Sequence, residues 1–110
     1  MKQDYTGIIV EESLDDMMLV NMFNVVGVKI GSTNKWHCYT VKMSVVELDK
    51  LRSHLKPRWF FHCWKDKDMV VMFKDETFAV SKTDRKTWKP AIDYGRSLGI
   101  PSEQLDFPTK

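Results

Sequence analysis

Nowhere does this chain string together the ~20 apolar residues that a membrane-spanning helix needs, so no membrane partner is expected. The opening MKQDYTG lacks an apolar core of signal-peptide length, which argues against secretion and for a cytoplasmic location. Cysteine is scarce. The two present, Cys38 and Cys63, are expected to stay reduced in that compartment. Neither G-x-x-x-x-G-K-[ST] nor G-x-G-x-x-G occurs, which removes the commonest phosphate-cradling loops. No repeat, low-complexity tract or linker divides the 110 residues, so residues 1–110 read as one domain. An excess of one charge is missing too: 17 basic residues face 15 acidic ones, giving a net +2. Basic residues thicken only in KTDRKTWK, Lys82 to Lys89, which is weaker than the stripe that nucleic-acid binding needs.

What is present is a folded composition, 43% hydrophobic and 29% charged, with a clear alternation of elements. TGIIVE, Thr6 to Glu11, is β-branched and apolar on both sides, as a central strand should be. SLDDMMLVNMFN predicts a short helix with Ser13 as its cap and Asp15 and Asp16 at its positive end. Val25 to Ile30 and Trp36 to Met43 flank the turn GSTNK as a hairpin. Ser44 and Glu47 have capping-box spacing, Leu48, Leu51 and Leu55 fall on one helical face, and Pro57 ends the helix. Arg58 to Trp64, Met69 to Phe73 and Thr77 to Ser81 then form a meander. A last helix spans Trp88 to Leu98 with Thr87 as its cap, closed by Gly99, Ile100 and Pro101. The predicted fold is α+β: one antiparallel sheet of about six strands carrying two main helices and one short one.

Two His-Cys dipeptides, in WHCYT and RWFFHCWKDKD, are the sequence's most chemical feature. Side chains alternate across a strand, so His37 and Cys38 face opposite ways, as do His62 and Cys63. No four-ligand metal site can be assembled from regular strands on that pattern, and no metal or other cofactor is predicted. A thiol-imidazole couple would need His37 with Cys63, or Cys38 with His62, on adjacent strands. The acidic group Glu11, Glu12, Asp15 and Asp16 is assigned to a helix start rather than to a cation or to acid-base chemistry.

Two-residue loops at Asp66-Lys67 and Asp75-Glu76 pair Trp64 with Met69, His62 with Val71, Phe73 with Phe78 and Val71 with Val80. One face then collects Phe60, His62, Trp64, Met69, Val71, Phe73, Phe78 and Val80, a core face with the leucines of the second helix as its cover. The other face carries Trp59, Phe61, Cys63, Val70, Met72, Ala79 and Ser81, too apolar for an ordinary wet surface. Three occupants compete for it: the last helix, a second copy of the chain, or a ligand.

IDYGRSLGIPSEQLDF, with TGIIVEESL and WFFHCWKDKDMVVMFKDETF, resembles a family of small bacterial and archaeal proteins that share a YGxSLGIPxxQLDF-like C-terminus. The resemblance runs over nearly the whole chain and implies no activity, cofactor or site residue. The sequence alone therefore favours a non-catalytic binding module that self-associates into a homo-oligomer through Trp59, Phe61, Cys63, Val70 and Met72. The alternative is a small-molecule binder or enzyme using His62, Cys63 and nearby tryptophans, with His62 and Trp64 in the pocket; weak nucleic-acid binding through Lys82 to Lys89 is a more distant one.

Overall fold

The computed structural model describes residues 3–31, 36–105 and 107. It is one six-stranded antiparallel sheet with a helix on each face. The strands are β1 (Tyr5–Val10), β2 (Asn24–Ile30), β3 (His37–Met43), β4 (Phe60–Lys65), β5 (Asp68–Phe73) and β6 (Thr77–Ser81). Two α-helices, α1 (Val45–Ser53) and α2 (Lys89–Ser97), join them, with 3-10 turns at Glu11–Ser13, Met17–Met22, Arg85–Trp88 and Ser102–Gln104. The spatial order is β2-β3-β1-β4-β5-β6, so the first strand lies centrally, between two strands that follow it in sequence. None of the helices among the described residues is long and apolar enough to cross a membrane.

Several elements follow directly from local chemistry. The Ser44 side chain accepts from the Glu47 N–H while the Glu47 carboxylate accepts from the Ser44 N–H at 2.9 Å, so the capping box opens α1. Gly99 ends α2 with φ +90°, and Ile100 donates its N–H back to the Gly95 carbonyl at 3.1 Å while burying its side chain. Two caps differ from expectation. Ser13 donates its hydroxyl to the Val10 carbonyl, and Asp16 caps the following turn by accepting from the Met18 N–H. Thr87 bonds Ser81 and Asp84, leaving Asp84 to cap the turn ahead of α2.

The sheet separates two cores. On one face, Ile9, Val41, Met43, Phe61, Cys63 and Met72 pack with Leu48 and Leu51 of α1, with Leu55 just beyond it, and with Leu14, Leu19 and Phe23. On the other, Met69, Val71, Phe73 and Val80 pack with Trp88 of the preceding 3-10 turn, with Ala91 of α2 and with Ile100, Leu105 and Phe107. The covers are thus exchanged relative to the sequence-based expectation: α1 roofs the Phe61-Cys63 face, and α2 roofs the Phe60-His62 face. Both faces are apolar, so composition alone did not choose between them.

Register follows the expected pattern at β4–β5, where His62 faces Val71 and Trp64 faces Met69 across the Asp66-Lys67 turn. At β5–β6 it is shifted by two residues, with Val71 opposite Phe78 and Met72 opposite Thr77, because the turn is centred on Lys74-Asp75 in place of Asp75-Glu76, with the Phe73 N–H donating to the Glu76 carbonyl at 2.8 Å. A shift of two preserves which face each side chain takes, and the two rows survive.

Candidate functional site

Strand alternation separates each histidine from its neighbouring cysteine. Cys63 lies fully buried in the α1-side core, while the nearly buried His62 stacks on Trp64 and packs against Phe107, both at 5.8 Å, on the α2 side. β1 intervenes between β3 and β4, so Cys38 and His62 share a face but sit two strands apart, about 10 Å at the usual strand spacing. The same separation keeps His37 from Cys63. Burial pushes the Cys63 thiol up to about 12, and burial followed by the charge of Glu12 raises that of Cys38. Neither thiol is poised as a nucleophile.

The Phe61, Cys63 and Met72 side chains of the expected binding row are buried beneath α1. Val70 stays half-buried and lines, with Met72, Tyr5, Leu48 and Asp49, an open groove of about 480 Å³ beside α1. Trp59 departs from the row altogether. It lies just outside β4 and packs its indole against that of Trp36, with ring centroids 4.9 Å apart.

That tryptophan pair walls a second cavity, of about 220 Å³, on the α2 face. Ile8 and Val10 of β1 line it between the tryptophans and Phe60, and Cys38 borders it from β3. His62 lines it from β4, and Ile100 and Gln104 close it from the segment after α2. The cavity exists because α2 packs over β5 and β6 and leaves the β1–β4 end of the same face uncovered. Its lining is mainly apolar, with His62, Gln104 and Arg58 as the polar side chains that can orient a ligand.

Arg58 occupies an unusual backbone position. Lys56-Pro57-Arg58-Trp59 is a turn closed by the Trp59 N–H donating to the Lys56 carbonyl at 3.3 Å, with Pro57 and Arg58 at its centre. Arg58 has φ +69°, a left-handed conformation at the third turn position, where glycine or asparagine is favoured. A left-handed conformation costs an ordinary L-residue roughly 1–2 kcal/mol. The other non-glycine residue of positive φ among the described residues, Asp66, is in the tight β4–β5 hairpin, where such angles are routine.

The expected acidic cluster is dispersed. Asp15 pairs with His54 at 2.9 Å and Asp16 serves as a cap, whereas Glu11 and Glu12 turn toward His37. The His37 Nδ1 lies 2.7 Å from the Glu12 carboxylate and 3.7 Å from that of Glu11, and Tyr39 donates its hydroxyl to Glu11 at 3.3 Å. The hydrogen bond to Glu12 raises the pKa of His37. Burial alone would raise Glu12, but the bonds from the His37 ring and main chain outweigh it and hold the carboxyl below its ordinary value. This trio, with one nitrogen and two carboxylate donors, has the donor types of a divalent-cation site, and its present chemistry is a half-exposed ion pair.

Two basic side chains of the stretch Lys82 to Lys89, Arg85 and Lys89, engage local partners. Arg85 lies 4.8 Å over the Trp88 ring, Trp88 donates its indole N–H to the Ser81 carbonyl at 2.7 Å, and Lys89 pairs with Asp93 at 2.7 Å. Sequence reasoning missed Trp36, Arg58 and Gln104 as members of one cavity. The only local signal was proline ahead of Arg58, which favours a turn; the rest depends on strand order. No protein-family model, curated protein or solved structure matches this chain.

Proposed function

We propose that this chain is a non-catalytic cytoplasmic binding domain whose ligand is a small, flat, apolar molecule bearing one negative charge, held in the Trp36-Trp59 cavity. The observation that carries this reading is the meeting of two indoles with an arginine kept in a strained turn at the cavity's rim. Strained backbone persists where something other than stability retains the residue. Arginine offers a fork of donors suited to a carboxylate, and among the described lining residues none is acidic. A volume near 220 Å³ lies below the range typical for drug-sized ligands, which suits a single substituted ring.

This reading prefers the small-molecule alternative to self-association through the Phe61-Cys63 face, because α1 already occupies that face. It also separates binding from catalysis, since both thiols are pushed away from the reactive thiolate form. The test is a titration with benzoate and phenylacetate, followed through the indole N–H signals of Trp36 and Trp59. Saturable shifts confined to these indoles and their neighbours support the reading. Shifts scattered over the surface, or none, remove it.

A further inference from the structure

The β2 edge of the sheet carries Val26, Val28 and Ile30 at 57%, 63% and 57% exposure, and the exposed Met18 and Met22 lie on the neighbouring 3-10 turn. Edge strands are ordinarily blunted by charge, proline or a bulge. Here a bulge lies between Val25 and Gly27, and Lys29 is the strand's one charged residue; beyond the bulge, Val28 and Ile30 pair in regular register with β3.

The main-chain direction of that half can be deduced. Gly31 donates its N–H to the Trp36 carbonyl at 2.9 Å, and Ile30 sits opposite His37. In an antiparallel pair the bonding residues alternate, so Lys29 and Gly27 aim their peptide groups at β3 while Val28 and Ile30 aim theirs outward.

We propose that β2 pairs antiparallel with β2 of a second copy about a two-fold axis through Val28, joining two sheets edge to edge. The sequence of β2 favours this register over the two neighbouring ones. With Val28 opposite its own copy, Lys29 meets Gly27 and like charges are never directly opposed, while Ile30 falls opposite the bulge residue Val26, which keeps the ladder short. An axis through Lys29 would oppose two lysines, and one through Gly27 would set Ile30 against Asn24. A two-fold contact also closes on itself, yielding a dimer in place of a filament. The contact is narrow, so the dimer is weak and depends on concentration. It is independent of the ligand cavity, which opens on the other side of β3.

The experiment is sedimentation equilibrium on the full chain from micromolar to millimolar concentration, for wild type, Val28→Pro and Ile30→Lys. Proline at position 28 removes an N–H that points away from β3, so the fold should persist, with an unchanged circular-dichroism spectrum. Wild type is expected to pass from monomer to dimer, with both variants weakened roughly tenfold or more, the equivalent of one lost ladder pair. Ile30→Lys reads the same contact if Val28→Pro does not fold. A wild type that stays monomeric throughout overturns the proposal and leaves the edge to an extended segment of another protein. A dimer that both folded variants retain at full strength overturns it in favour of another surface.

Discussion

Gly7 on β1 lies beneath the ring of Phe61 on β4, where it has space for no side chain at all. A methyl group built there meets the Phe61 ring, at 2.8 Å from Cε1, and comes within 3.1 Å of the Cys63 Cβ. The missing side chain lets a buried aromatic lie across the central strand and fill the core under α1. Gly7→Ala should therefore cost about 1–3 kcal/mol through overpacking. Urea unfolding checks this, and Phe61→Leu in the same chain should recover part of the loss, because the two positions are coupled.

Arg58 should be a residue whose removal strengthens the fold. Arg58→Gly relieves the left-handed strain and is expected to raise stability by about 1 kcal/mol, partly offset by the freer unfolded chain. Arg58→Gln retains the strain and so should leave stability near wild type. Both should lose the preference for charged ligands over neutral ones. Unfolding midpoints paired with the two affinities separate these effects.

The His37-Glu12 pair makes a pH-dependent contribution whose sign follows from its two shifts. His37 is raised, so its share is full below its unfolded pKa of about 6.5 and is lost as pH rises through the folded value. Glu12 is lowered, so its share is present above about 4.3 and is lost as pH falls through its folded value. The contribution is greatest between these limits, in mildly acidic solution. His37→Gln should flatten the fall in melting temperature between that window and pH 8. An NMR titration of the His37 ring should give a midpoint above that of a free histidine, and the Glu12→Gln variant should return it.

The two thiols should react at very different rates. Cys63 is fully buried with its pKa near 12, so a disulfide reagent should modify it only after unfolding. Half-buried Cys38 should react in the folded state, more slowly than an exposed thiol because burial and Glu12 disfavour its thiolate. Mass spectrometry of the native protein should find Cys38 modified first. A fast Cys63 would contradict the packing described for it.

Much of the fold was legible because it is set locally. The capping box at Ser44 and Glu47, the stop at Gly99 and the Asp66-Lys67 hairpin each depend on a few adjacent residues. Strand alternation correctly split both His-Cys pairs, since it needs only that the segments be extended. The helix covers were not legible, because two apolar faces and two amphipathic helices admit either assignment. Long-range contacts decide it, such as the bridge between Leu14 and Leu55 that ties the end of α1 to the segment after β1. The cavity was hidden for the same reason. It depends on β1 inserting between β3 and β4, which brings Trp36 and Trp59 together across 23 residues of sequence.

The proposed ligand class turns on whether the Trp36-Trp59 cavity prefers a charged ring. Parallel NMR titrations with benzoate and with benzyl alcohol, on wild type and Arg58→Gln, measure that preference. Wild type should bind benzoate more tightly, with shifts centred on the two indoles, and Arg58→Gln should bind both probes alike. Equal affinities in wild type, or a benzoate preference that survives the loss of Arg58, would contradict it.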